Sequence, residues 1–310
     1  MTAEGYSFTH YLAAKKSVDN RAINRYVWQL LGESLPQTSE DAPLKVLEIG
    51  AGIGTMIERM LEWNLCKRAD YTAIDSSSMN INFAKERLQD WAVQQGYLVE
   101  KRQDILTIQR EDIQVDMKLL DIDLFDFLAD QRNESSFDLL VAHAFLDLVD
   151  LPRTLPRIFK LGRSGSLFYF SINYDGLTIF EPLIDADFDR QVLDRYHLTM
   201  GARFQEGKLF GDSQSGRHLI QQIQAAGGIV SAAGSSDWVV FPGSSGYPED
   251  EAYFLHFIID TIFQALKNDP ELDEDRFSAW VGERHAQIER QELVYIAHQL
   301  DYLGDVQSNP

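Results

Sequence analysis

Residues 46–56 read Val-Leu-Glu-Ile-Gly-Ala-Gly-Ile-Gly-Thr-Met, and this stretch decides how the rest of the chain is read. An apolar run carries one acid, Glu48, and is followed by Gly50, Gly52 and Gly54 at alternate positions. A helical pattern begins at Met56-Ile-Glu-Arg-Met-Leu61. The order is strand, tight turn, helix, which brings bare backbone close to a nucleotide-like ligand. A dinucleotide fingerprint, G-x-G-x-x-G, needs its third glycine at position 55, where this chain has Thr. The turn therefore points away from a pyrophosphate lying on a helix N-terminus.

Working outward, Lys45–Gly50 reads as a buried strand and Thr55–Trp63 as the helix behind it. Ala69–Asp75 is a second strand that ends in an acid, and Ser76-Ser-Ser opens a helix that Gly96 stops. Ile105–Ile108 and Asp116–Ile122 have strand character. Phe137–Ala142 is an apolar strand, Pro152–Leu161 a short helix and Gly165–Ile172 another strand. Strands alternating with helices predict a parallel sheet with crossover helices. Upstream, residues 8–31 have helical spacing with Gly32 as a stop, and the Pro-, Ser- and Asp-rich residues 35–43 read as a linker. Downstream, residues 181–212 are charged, partly helical and look inserted. Ser215–Ala226 is a helix, and Ile229–Phe241 reads as a strand broken at Gly234-Ser-Ser. Glu251–Leu266 and Asp273–Glu289 are amphipathic helices, and Glu292–Leu300 fits a last strand.

An acid two residues before G-x-G-x-G resembles the first motif of the Rossmann-like, class I S-adenosylmethionine-dependent methyltransferases. Other stretches follow in that family's order. Tyr71-Thr-Ala-Ile-Asp75 supplies an acid at the next strand end, Leu119-Leu-Asp-Ile-Asp-Leu-Phe125 resembles the adenine-binding motif, and Ser136–Asp147 resembles the fourth motif. Leu161-Gly-Arg-Ser-Gly-Ser-Leu-Phe-Tyr-Phe resembles the next turn and strand, with Arg163-Ser164-Gly165 where the family usually has Pro-Gly-Gly. The resemblance covers about residues 44–173. It implies an α/β fold with a seven-stranded sheet flanked by helices. It also implies an N-terminal helical cap, and helical insertions after the fifth strand and before the last. We expect one domain over 1–310, with a cap at 1–41, a cofactor-binding core at 42–180, an insertion or lid at 181–212, and the rest of the sheet at 213–310.

The same resemblance assigns S-adenosylmethionine as cofactor and places Glu48, Gly50, Ala51, Gly52 and Gly54 at its methionine end. It puts Asp75 and Ser76 at the ribose, where a carboxylate accepts charge-assisted hydrogen bonds. Ile122, Asp123 and Leu124 fall at the adenine, with Asp121 the alternative acid and Asp126 also open. His143, Ala144 and Phe145 would border the methyl group, because ligands of open α/β sheets sit outside the carboxyl ends of the strands. Methyl transfer depends on positioning, and a hydroxyl nucleophile also wants a general base. His143 is the candidate base, since its ordinary pKa lies near neutrality; a hydrogen-bonding role toward cofactor or backbone is the other reading. Tyr11, Arg21, Phe145, Asp147, Asn173, Tyr174, His197 and Arg217 are the candidate substrate contacts, with the cofactor's carboxylate the other reading for Tyr11 and Arg21.

Composition narrows the partners. The 310 residues are 45% hydrophobic and 25% charged, ordinary for a folded domain with a sizeable core. A formal net charge of −20 and the lack of any basic tract argue against a nucleic-acid partner. One cysteine, Cys66, allows no internal disulfide and no cysteine-based zinc site, and we expect it to be packed in an apolar helical stretch. No signal-peptide pattern and no long uncharged apolar run appear, so a cytoplasmic protein without a membrane span is expected. No metal is expected either. The apolar content of 177–184 and 251–266 suggests an enclosed pocket for a small organic molecule, and a homodimer is compatible with the sequence. O-, N- and C-methylation stay open. The competing readings are a nucleoside-binding regulatory or scaffolding protein without methyl transfer, and a nicotinamide oxidoreductase, which the absent G-x-G-x-x-G disfavours.

Overall fold

In the computed structural model, residues 5–201, 203–205, 208–210 and 212–307 are described. Positions 1–4, positions 202, 206–207 and 211 of the expected insertion, and positions 308–310 lie outside the described residues. The chain opens with helices α1 (Phe8–Ala22) and α2 (Arg25–Ser34), then alternates β1 (Leu44–Ile49), α3 (Thr55–Glu62), β2 (Arg68–Asp75) and α4 (Ser78–Gln94). Strands β3 (Leu98–Arg102), β4 (Ile105–Arg110) and β5 (Ile113–Asp121) follow, then α5 (Leu124–Ala129), β6 (Phe137–His143), α6 (Leu151–Phe159) and β7 (Gly162–Glu181). The last part holds α7 (Ala186–Met200), the small pair β8 (Arg203–Gln205) and β9 (Lys208–Phe210), and α8 (Ser215–Ala225). It ends with β10 (Gly228–Ser235), β11 (Trp238–Val240), α9 (Glu251–Leu266), α10 (Glu274–Glu289) and β12 (Val294–Val306).

The main sheet runs β10-β12-β7-β6-β1-β2-β5-β4-β3, with β11 paired on β12. Strands β7, β6, β1, β2 and β5 are mutually parallel. Val46, Leu47 and Ile49 at the centre are fully buried, as a strand covered on both faces requires. Each such side chain contributes about 1.5–3 kcal/mol of burial. The sheet has ten strands rather than the expected seven. The hairpin β3–β4 extends the β5 edge antiparallel, and β11 adds a short strand beside β12. The polar run Glu100-Lys-Arg-Gln hid the hairpin, whose apolar inward set is only Val99, Leu106 and Ile108.

Three other expectations need correction. The helical stretch 8–31 is two helices, because α1 ends at Ile23 and Asn24 caps α2 with its side chain on Val27 N. Helix α2 also runs past Gly32 to Ser34. The strand expected at Gly165–Ile172 continues through Asn173-Tyr-Asp-Gly176, because β12 pairs with it as far as Glu181. Cys66 lies between α3 and β2 rather than in a helix, and it is buried. Burial pushes its thiol up to about 12.

The carboxyl ends of β1, β2, β5, β6 and the parallel part of β7 meet along one edge. Beyond that edge β7 and β12 continue as an antiparallel ribbon, with α7, α9 and α10 in the same half of the chain. Helix α1 packs against α9, β11, α3 and α4, so it closes over the strand ends. Among the described residues no helix is long and apolar enough to cross a membrane.

Candidate functional site

The turn after β1 is folded back on β2. Gly50 N and Ala51 N both donate to Ile74 O, at 2.9 and 3.0 Å. Gly50 sits at φ +69, and a Cβ there would lie 2.3 Å from the Phe145 ring. Gly52, at φ +54, faces Leu12 of α1. Left-handed backbone costs a side chain roughly 1–2 kcal/mol, so glycine is required twice over at Gly50. Asp75 closes the turn from the next strand. Its Oδ2 accepts from Gly52 N at 2.9 Å, and its Oδ1 accepts from Ser77 N at 2.9 Å and Asn80 Nδ2 at 3.2 Å. At the third strand end, Ile122 N donates to Asp75 O, and Asp123 caps α5 through Phe125 N at 2.7 Å.

These segments line one cavity of about 540 Å³. That volume falls within the usual range for small-molecule and cofactor sites. Its lining includes Glu48, Gly50, Ala51, Gly52, Asp75, Ser76, Ile122, Asp123, Leu124, His143, Ala144 and Phe145, all expected from the sequence. Gly54 does not line it. That residue starts α3 at φ +80, and a Cβ there would press on Leu88 of α4. Glu48 is buried and accepts a 2.8 Å hydrogen bond from Tyr71 OH. Burial pushes its carboxyl up to about 8, against the pull of the Tyr71 hydrogen bond and the nearby Arg59 charge. An acid so placed is poised to meet a cation, because an incoming positive charge restores its ionised form.

The fourth wall is α1. Phe8, Leu12, Lys15 and Asp19 follow one helical face and line the cavity. Asp19 is buried and collects three donors from three parts of the chain. Its Oδ2 takes Lys15 Nζ and His143 Nε2, both at 2.9 Å, and its Oδ1 takes Trp238 Nε1 at 2.9 Å. Lys15 and His143 hold its carboxyl well below the usual range, outweighing burial. His143 is pushed down to about 4 by burial, against the pull of Asp19. The pair is therefore an ionised aspartate and a neutral imidazole, a hydrogen bond rather than an ion pair. The imidazole donates from Nε2 to Asp19 and accepts at Nδ1 from Ser171 Oγ, 2.8 Å away. Ser171 is followed by Ile172 at φ +58, a strained position for a β-branched residue. Buried Asp301 pins it by accepting from Ile172 N at 2.7 Å, and also accepts from Asn24 N at the start of α2. Ala144, just past β6, is likewise left-handed at φ +51, and its N donates to Ser171 O. Strain of this kind persists where surrounding structure over-determines it, and it clusters at ligand sites.

The remaining candidate substrate residues do not line this cavity. Tyr11 stacks between Phe254 and Phe257, with ring centroids at 5.6 and 4.1 Å. Arg21 pairs with buried Glu251, which also accepts from Ser17 Oγ, so this contact clamps α1 to the start of α9. Asp147 lies in the short turn Leu146–Leu148, whose neighbours Phe145, Leu148 and Val149 reach the cavity. Asn173 is buried and donates to Leu300 O. Tyr174 OH joins His197 Nε2 at 2.7 Å and Thr178 Oγ1 at 2.9 Å, linking β7 to α7. Arg217 forks onto Asp175 at 2.9 and 3.0 Å. Sequence reasoning missed Phe8, Leu12, Asp19, Ser77, Asn80 and Val149. Asp19 gave no signal, because Lys15 and Asp19 at helical spacing look like a solvated surface pair. Among the described residues, no group of three or more His, Cys, Asp or Glu is arranged to hold a metal ion.

Residues 47–168 match a family model described as a methyltransferase domain. No curated protein matches the chain. Three similar solved structures are at low identity. One is a SAM-dependent methyltransferase from Methanosarcina mazei, 12% identical over 90% of this chain and 98% of that one, with TM-score 0.44. Another is a Haemonchus contortus phosphoethanolamine N-methyltransferase with S-adenosyl-L-methionine, 12% identical over 98% of this chain and 58% of that one, with TM-score 0.43. The third is the Streptomyces coelicolor geranyl diphosphate C-methyltransferase with S-adenosyl-L-homocysteine, 8% identical over 90% and 78%, with TM-score 0.41.

Proposed function

We propose, from the match of residues 47–168 to a methyltransferase-domain model, that this chain is a class I S-adenosylmethionine-dependent methyltransferase, that the cleft beneath α1 binds S-adenosylmethionine and that the methyl group goes to an O, N or C nucleophile of a small organic molecule. One observation carries the reading. Residues drawn from four segments far apart in sequence, within 48–55, 74–80, 122–125 and 143–149, line a single cavity at the carboxyl ends of the strands. Glycine is required where backbone meets that space, and carboxylates stand at its two ends.

The residues present fit such a cofactor. Glu48 would take the ammonium of the methionine end, Asp75 the ribose hydroxyls, and Asp123 with Ile122 and Leu124 the adenine. When bound, the cofactor supplies a methyl group on an electron-poor sulfur. Phe145, Leu148 and Val149 give the cleft an apolar wall that helps exclude water. The proton acceptor for a protic nucleophile in this reading is Nδ1 of His143, reached when the nucleophile displaces Ser171 Oγ, with Nε2 held on Asp19. The two are in direct hydrogen bond, so they titrate as a unit rather than as separate groups.

The test is calorimetric titration with S-adenosylhomocysteine and with NAD, followed by turnover of labelled S-adenosylmethionine over a panel of alcohols, amines and activated carbon acids. Binding of S-adenosylhomocysteine together with methyl transfer to one class supports the reading. Binding of NAD in its place sinks it. Tight binding with no acceptor among the panel leaves the regulatory alternative.

A further inference from the structure

We propose that Lys15 senses the cofactor: it is held on Asp19 in the structure and moves to the carboxylate of the cofactor's methionine end, leaving the charge of Asp19 to His143. The inference rests on the cofactor reading above. It adds that the proton acceptor is armed by the molecule it serves.

Lys15 is buried, with 6% of its surface exposed, and it lines the cavity beside Asp19, His143 and Glu48. Of the three donors on its ammonium, one goes to Asp19 Oδ2 at 2.9 Å. The ammonium also lies 5.3 Å from the centre of the Trp238 ring. The other cations of α1 are engaged elsewhere. Lys16 pairs with Glu58 and Glu62, and Arg21 with Glu251. Lys15 is thus the cation that α1 presents to the end of the cleft where Glu48 stands.

Asp19 can release Lys15 without being orphaned. It keeps Trp238 Nε1 on one oxygen and His143 Nε2 on the other. The groups facing the Asp19–His143 pair are Tyr11 and Lys15 from α1, Arg59 from α3, Ser171 from β7 and Trp238 from β11. Lys15 and Arg59 both disfavour a proton on the imidazole, and Asp19 favours one. While Lys15 neutralises Asp19, the pair has little affinity for a proton. Once a carboxylate takes Lys15, the aspartate charge is uncompensated at 2.9 Å from the imidazole, and the pair binds a proton more readily. Arg59 does not move in this scheme. It is fully buried and bonded to Asn20 Oδ1 at 2.8 Å.

The distinguishing probe is 5′-methylthioadenosine, which keeps the adenosine and the thioether but has no methionine carboxylate. The imidazole of His143 is followed by nitrogen NMR against pH, using the full chain alone, with S-adenosylhomocysteine, and with methylthioadenosine. The expected result is that S-adenosylhomocysteine raises the proton affinity of His143 by about tenfold or more, as for a charge gained within a few ångströms, while methylthioadenosine leaves it unchanged. In Lys15→Met the raised affinity is present without ligand. That variant also loses affinity for S-adenosylhomocysteine but not for methylthioadenosine. Equal responses to the two nucleosides, or no response to S-adenosylhomocysteine despite saturation, overturn the proposal. The wild-type comparison stands even if Lys15→Met does not fold. Failure of the wild type to bind any of these nucleosides is a different outcome, since it removes the cofactor reading itself.

Discussion

The two sides of the cleft are built in different ways. The strand-end side, from Glu48 to Asp75 and on to Asp123, is local and made largely of backbone. Glycines allow close approach, and Asp75 bonds to Gly52 N, Ser77 N and Asn80 within a short span of chain. The α1 side is made of long-range contacts between buried charged or polar side chains. Asp19 meets His143 across 124 positions and Trp238 across 219, and Glu251 holds Ser17 and Arg21 across more than 200. A backbone-built side tolerates little change in shape but depends little on charge. A side-chain-built lid is the reverse, because a buried charge is stable only while every partner is in place. The chain thus keeps its rigid recognition on one side and its responsive chemistry on the other.

The comparison can be broken first at Asp19. Asp19→Ala leaves Lys15 buried with no carboxylate and is expected to cost about 3–5 kcal/mol of stability. Urea unfolding measures this, and a loss under about 1 kcal/mol would mean that the hub does not hold the lid. Next comes Gly50→Ala, which adds a Cβ into Phe145 at a left-handed position. It should lower S-adenosylhomocysteine affinity by roughly 100-fold, with a smaller loss of stability from backbone strain of about 1–2 kcal/mol. Binding within a few fold of wild type would show that Phe145 can step aside. Asp75→Ala should weaken the same ligand by at least about tenfold through lost charge-assisted bonds; unchanged affinity in a folded variant removes Asp75 from the site.

A subtler test uses pH. In the unfolded chain Glu48 titrates near 4.5, and in the fold near 8. The native state therefore holds a proton that the unfolded state gives up, so this contribution is complete below about 4.5 and is lost as pH rises through 8. His143 acts in the opposite sense, but only between its ordinary 6.5 and about 4. Above pH 6.5 the Glu48 effect leads, until buried Cys66, raised from 9.0 to about 12, adds a loss in the same sense near pH 9. Denaturation series from pH 6.5 to 8.5 should show stability falling with pH in the wild type and flattening in Glu48→Gln. Parallel slopes in the two proteins would show that Glu48 is ionised in the fold. The smallest effect belongs to a surface pair far from the cleft. Lys67 and Asp112 are both largely exposed, so Lys67→Ala should leave the urea unfolding midpoint and ligand affinity unchanged.

How much could be read beforehand follows from the same contrast. The turn at Gly50–Gly54, the acids Glu48, Asp75 and Asp123, and the strand ending at His143 were visible because each is a local pattern of a few residues. The hairpin β3–β4 was half visible, since its outward face is charged and its inward face short. The extension of β7 through Asn173-Tyr-Asp-Gly176 is not legible in the sequence, because Asn and Asp-Gly carry turn propensity and only the pairing with β12 makes them strand. Tyr11, Arg21, Tyr174, His197 and Arg217 were chosen for chemistry and position along the chain. The fold gives each a structural partner of its own. Asp19 and Trp238 had no signature, since neither a mid-helix acid nor a lone tryptophan announces which distant residue it will meet.

The sequence by itself determined the strand-turn-helix at Glu48–Leu61, the parallel α/β order and the carboxylates at the strand ends. Steric limits on φ, hydrophobic periodicity and capping act within a few residues and need no tertiary context. Only the tertiary structure decided that α1 closes the cleft, that Lys15, Asp19 and His143 form one charge system, and that Glu48 is held near neutrality. Those properties depend on desolvation and on side chains that only the fold brings together, with His143 and Trp238 reaching Asp19 from more than 100 residues away. Burial has no local code, and it sets the proton affinities on which the proposed chemistry depends.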